Sequence, residues 1–154
     1  MNISGLLTLF DQLPPYQELR RKLREDADVA PLGLPRSVWP ALLVRWELAL
    51  LSELGFGLDL EECAATGTND ALIYVSPKSG RAVSASAGEP YRDRLLPLPA
   101  FLLKGRRSGT GVSETDVVNG LKLSRYFLEQ RVLAPREIGM PEPRIRLETL
   151  LQRR

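Results

Sequence analysis

Histidine is missing from this sequence, and cysteine occurs once, as Cys63. Without an imidazole there is no ordinary base for a thiol or hydroxyl nucleophile, so the common triads are excluded. One thiol cannot close an internal disulfide, and nothing points to an oxidising compartment. A structural zinc site takes about four ligands, mostly thiolate and imidazole, which this composition cannot supply. Cys63 is therefore read as a small buried apolar residue. Long apolar runs are lacking too. None reaches the ~20 residues needed to span a bilayer. The longest, residues 41–51, is broken by Arg45 and Glu47. The opening MNISGLLTLF has no basic cluster and soon meets Asp11, unlike a signal peptide. The expected compartment is the cytoplasm. Aromatic residues make up only 6%, so stacking partners for nucleic-acid bases are few.

Catalytic and phosphate-binding motifs are missing as well. GRRSGTG at 105–111 has the wrong spacing for a phosphate loop and lacks its lysine. Gly55-Phe56-Gly57 follows a helical pattern rather than a strand, so the dinucleotide fingerprint fails. No G-x-S-x-G elbow occurs. Asp59, Glu61 and Glu62 are either ligands for a divalent ion or solvated acids after a helix end. No constellation supports an enzyme, and no cofactor is implied.

What is present suits one soluble domain of 154 residues with ordinary apolar content, 44%. Net charge is only +2, but it is unevenly spread. Residues 101–154 hold eleven Lys/Arg against six Asp/Glu, while residues 41–70 hold one Arg against six acids. The C-terminal third is either a face for phosphates or an ordinary solvated surface.

The pattern predicts a mainly α fold. Residues 1–35 form a leading helical or irregular segment, with a charged helix at 16–26, and 36–154 form the main domain. The strongest helix begins near Pro40, with Ser37 near its cap, and stops at Gly55. Leu43, Trp46, Leu50 and Leu54 share its apolar face, widened by Leu42, Ala49 and Leu51. Two β-like pieces, Ala71–Val75 and Ala82–Ser84, flank the turn-forming Ser76–Gly80. A short helix is expected after Pro99. Ser113 and Asp116 resemble a capping box ahead of a helix with Val117, Leu121, Leu128 and Val132 on one face, ended by Pro135. A last helix, Pro143–Leu151, is expected to bury Ile145, Leu147, Leu150 and Leu151.

Several of these stretches, in order, resemble one family. VRWELALLSELGFGLDLEECAATG, then YVSPKSGRAVS, RLLPLPAFL and GLKLSRYFLEQRVLAP look like the helical C-terminal domain of the RecO recombination mediators. The likeness covers residues 37–151. Two departures stand out. Many RecO proteins carry a zinc knuckle of two C-x-x-C pairs. Here Cys63 keeps the first position, Thr66 stands at the second, and Ser84 and Ala87 stand near the third and fourth. The resemblance therefore implies a metal-free, zinc-knuckle-like β-hairpin inserted in a helical domain. Leu58, Leu60, Tyr74 and Val83 are candidates to hold it by burial. The family also begins with an OB-fold barrel that binds single strands. Residues 1–35 lack the alternating pattern of one, so barrel-borne DNA binding is not carried over.

The resemblance implies a non-enzymatic role in DNA repair and recombination. Recombinase loading and strand annealing would proceed with RecR and single-stranded DNA-binding protein as partners. In relatives the helical domain receives the acidic, apolar-ended tail of the single-stranded DNA-binding protein. Such a tail needs an apolar groove and a cation for its carboxylate. Arg45, with Trp46 and Leu50, is the candidate; the alternative for Arg45 is an internal pair with Asp59 or Glu62. Lys104, Arg106, Arg107, Lys122, Arg125 and Arg131 are the candidates for salt-sensitive contact with single-stranded DNA, with Arg144, Arg146, Arg153 and Arg154 adding charge. A second reading is an orphan helical adaptor that kept the fold without annealing activity.

Overall fold

The computed structural model of the protein describes residues 38–103 and 112–152. The proposed leading segment 1–35 lies outside the described residues. So do Lys104, Arg106, Arg107, Arg153 and Arg154. The described chain contains helices α1 (Val38–Glu53), α2 (Ala85–Gly88), α3 (Glu114–Phe127) and α4 (Glu142–Gln152). Between them lie strands β1 (Leu72–Val75), β2 (Ala82–Ser84) and β3 (Leu96–Pro97). The class is mainly α with a small antiparallel sheet, as the sequence pattern implied.

Helix α1 carries Pro40 in its first turn, where a missing N–H costs little. Its end is a Schellman turn. The Gly55 N–H donates to the Ser52 carbonyl (3.0 Å), and the Phe56 N–H donates to the Leu51 carbonyl (2.8 Å). Gly55 has φ of +87°, and a side chain there would meet nothing within 4 Å. The cost of adding one is thus purely backbone strain. Gly55→Ala is expected to lose about 1 kcal/mol, measured as a lower urea midpoint at unchanged slope.

The face that α1 buries differs from the sequence expectation. Ala41, Leu43, Val44, Glu47 and Leu51 are buried, whereas Trp46, Leu50 and Leu54 are only half-buried. The stripe is rotated toward the one acid in its middle. Glu47 is polar and so expected to face outward, but it has a counter-ion in the core, described below.

The hairpin forms where turn chemistry placed it. The Gly80 N–H donates to the Ser76 carbonyl (2.8 Å), and the Ser76 N–H to the Arg81 carbonyl (2.9 Å). The sheet order is β2-β1-β3, with Val75 opposite Ala82 on one side and Leu96 on the other. The loop after α1 runs along β2. Asp59 N–H donates to Gly80 (3.0 Å), and Ala82 N–H to Asp59 (2.9 Å). Strand β3 and the 3-10 helix Glu89–Arg94 were not anticipated. The former is two residues long and contains Pro97, so no local pattern announces it. The expected short helix after Pro99 is the 3-10 turn Ala100–Leu102.

Helix α3 begins on the predicted capping box. Asp116 N–H donates to Ser113 Oγ (3.0 Å), and Ser113 N–H donates back to Asp116 Oδ2 (3.2 Å). Val117, Leu121, Leu128 and Val132 are buried as expected. The helix widens into a π turn, Leu128–Leu133, and tightens to a 3-10 turn that contains Pro135. Gly120 lets α1 and α3 approach closely: a Cβ there would lie 3.2 Å from Val44 Cγ2 and 3.0 Å from Phe101 Cζ. On α4, Leu147 is buried and Leu150 and Leu151 are half-buried, but Ile145 is 37% exposed. Instead Arg144 and Glu148 point inward with Leu147, at the i, i+3, i+4 spacing of one helix face.

Candidate functional site

Three structures meet around α1: a half-exposed strip on its outer side, an ionic cluster behind it, and the hairpin knuckle beyond its end.

The outer strip consists of Trp46 and Leu50, one turn apart and both half-buried, and Arg45 lies about 100° around the helix from Trp46. Arg45 Nη2 donates to the Phe101 carbonyl oxygen, so the turn Ala100–Leu102 orients its guanidinium. Neither acid weighed as an internal partner takes it. Asp59 faces Arg81 at 3.7 Å. Glu62 stands with Glu61 and Asp70 on the lining of an open cleft of about 700 Å³. These acids do not converge as a cation would require: no group of three or more His, Cys, Asp or Glu among the described residues could hold a metal ion.

Behind α1 lies the feature the sequence reading missed. Arg144 of α4 and Glu47 of α1 are both fully buried and meet at 2.7 Å (Nε to Oε1). Arg144 Nη1 also donates to Glu148 Oε2 (3.2 Å), and Nη2 to the Leu121 carbonyl (3.1 Å). Glu148 extends the chain to Arg125 (3.1 Å), which holds Glu129 at 2.9 Å. Burial pushes the Glu47 carboxyl above its ordinary range, and the Arg144 charge and hydrogen bond oppose that push. Arg125 is raised above the ordinary arginine value, first by its hydrogen bond to Glu129, with burial working against it. The available signal was spacing. Glu47 falls in step with Val44 and Leu51, and Arg144 with Leu147 and Leu151, on the apolar sides of their helices.

The knuckle positions come together. Ser84 N–H donates to Cys63 Sγ (3.3 Å), and the thiol contacts Ser84 Oγ at 3.5 Å. Ala87 N–H donates to the same hydroxyl (3.3 Å), which caps α2. Burial pushes the Cys63 thiol up, but hydrogen bonds from Thr66 and Ser84 outweigh it and bring the group down to about 6. Of the side chains proposed to hold this loop, Val83 is buried, and Leu58, Leu60 and Tyr74 pack half-buried against the core.

The described DNA-contact candidates differ in their surroundings. Lys122 is exposed. Arg125 belongs to the ionic cluster. Arg131 donates to the Phe56 carbonyl (3.1 Å) and lies 4.7 Å over the Phe127 ring. It also packs against Gly80, where a Cβ would come within 2.9 Å of its Nη2.

With this geometry in hand, similarity to known proteins decides the family. The family model described as "Recombination protein O C terminal" matches residues 32–137. The chain belongs to the RecO family. It is 53% identical to a DNA repair protein RecO of Methylorubrum extorquens over 152 residues, covering 97% of this chain and 61% of that protein. It is 60% identical to the RecO of Methylobacterium nodulans over 143 residues, 92% of this chain and 57% of the relative. With the RecO of a Caulobacter species the identity is 51% over 120 residues, 78% and 48% of the two chains. This RecO-family chain thus spans about three fifths of the length of the first two. No solved structure matches it. No described helix is long and apolar enough to cross a membrane.

Proposed function

We propose that this RecO-family chain acts in DNA repair and homologous recombination as a non-enzymatic mediator domain. In this reading α1 receives the acidic tail of the single-stranded DNA-binding protein. RecR and single-stranded DNA are the further partners, in the cytoplasm. The observation that carries the reading is the juxtaposition on α1. Trp46 and Leu50 form a half-buried apolar strip on one side of α1, and Arg45, one residue before Trp46 and about 100° around the helix, has its guanidinium oriented by the Phe101 carbonyl. A guanidinium has five N–H donors in a fixed fork, so a bond to a carbonyl does not by itself exhaust its capacity to meet a carboxylate. The strip supplies the apolar contact that a tail ending in hydrophobic residues requires.

Fluorescence anisotropy with a labelled tail peptide tests this. Micromolar binding is expected, weakened by about 1.5–3 kcal/mol in Arg45→Ala, the scale of a charge-assisted hydrogen bond. A wild-type protein that ignores the peptide would remove the site. The adaptor reading would then stand, and one observation already favours it: Arg125 is ion-paired with Glu129 and Glu148, and Arg131 is bonded to the Phe56 carbonyl.

A further inference from the structure

In metal-bearing relatives, as the sequence resemblance implies, four thiolates at the knuckle would converge on one zinc ion. The donor set here does not fit that ion. Positions 63, 66, 84 and 87 carry one thiol, two hydroxyls and a methyl group, and thiolate, imidazole or carboxylate ligands are what zinc takes. Cys63, Ser84 and Ala87 are nevertheless bonded together, and the bonds that do so have a centre. Ser84 touches Cys63 twice, through its N–H (3.3 Å) and its hydroxyl (3.5 Å). The same hydroxyl accepts the Ala87 N–H at 3.3 Å and contacts Ser86 Oγ at 3.4 Å. The first turn is closed independently. Cys63 N–H donates to the Thr68 carbonyl (2.6 Å), and Gly67 N–H donates back to the Cys63 carbonyl (2.8 Å). Cys63 and Ser84 are both buried, where a hydrogen bond is poorly replaced by water.

We infer that the Ser84 hydroxyl stands in the place of the metal, as the hub of a hydrogen-bonded clasp that joins the Cys63 turn to the start of α2. The hairpin then keeps its knuckle geometry without zinc, and its stability answers to one side chain rather than to metal supply. On this inference, thiols restored at the three altered positions complete two C-x-x-C pairs, the donor set that a tetrahedral metal ion takes.

The test uses the full chain, expressed with added zinc. Wild type is expected to carry no stoichiometric zinc and to melt at the same temperature with and without a strong chelator. Ser84→Ala is expected to lower the melting temperature by several degrees, whereas Ser86→Ala, at an exposed position, leaves it unchanged. The Thr66→Cys/Ser84→Cys/Ala87→Cys variant is expected to take up one cobalt ion with thiolate charge-transfer absorption and to become chelator-sensitive. Stoichiometric zinc in wild type, or a melting point that falls with chelator, overturns the inference. So does a Ser84→Ala protein that melts like wild type, which would show that the hydroxyl is no hub. A folded triple variant that ignores cobalt overturns the claim that the four knuckle positions converge.

Discussion

Arg144→Met is expected to lower unfolding free energy by about 3–5 kcal/mol, the cost of leaving a buried charge without its partner. The guanidinium makes bonds to Glu47, Glu148 and the Leu121 carbonyl from a position with no solvent access. Removing it strands Glu47, whose second oxygen, Oε2, already lacks a hydrogen-bond partner in the described structure. Glu148 suffers less, because Arg125 still reaches it. The damage is therefore concentrated on one carboxylate, which makes a clean double-mutant cycle possible. Adding Glu47→Leu to Arg144→Met is expected to recover most of the loss, since apolar residues of similar volume replace buried ion pairs at little net cost. Urea denaturation of the two single variants and the double variant reads this directly. A single-variant loss under about 1 kcal/mol would mean that water reaches the pair. The arrangement also bears on the proposed tail site, because Glu47 lies between Trp46 and Leu50 in sequence and locks the rotation of α1 about its axis.

Arg131→Ala is expected to cost about 2–3 kcal/mol, from a charge-assisted hydrogen bond to a main-chain carbonyl together with a cation–π contact. Arg131 joins three segments: the Schellman turn through Phe56, the hairpin turn through Gly80, and the end of α3 through Phe127. Lys122→Ala, on the exposed side of α3, is expected to change stability by less than about 0.5 kcal/mol. Single-stranded DNA binding should respond in the opposite way. If the chain contacts phosphates, Lys122→Ala weakens it and reduces the salt dependence, and Arg131→Ala acts only through folding. An Arg131→Ala protein with wild-type stability and weakened DNA binding would return Arg131 to the DNA-contact set.

Which parts of this architecture were legible follows the range of the interactions. Gly55 as a helix stop, the Ser113–Asp116 capping box and the Ser76–Gly80 turn each depend on bonds across a few residues. Their chemistry is visible in a short window. The ordered string of family motifs likewise assigned Cys63, Thr66, Ser84 and Ala87 to one knuckle. The buried face of α1 was not legible, because Glu47 looks like a solvated acid in any local window and its partner lies 97 residues away. The same holds for Arg125 and Arg131. A basic residue reads as available charge until its acids or carbonyls are found in space.

By itself, then, the amino-acid order determined the helical class, the helix ends, the hairpin and the family, because each rests on local backbone chemistry or on motifs kept in sequence. Only the tertiary structure decided which charges face solvent. Burial of an ion turns on whether a counter-ion and a carbonyl converge on it from other elements, and that convergence exists only once α1, α3 and α4 are packed together.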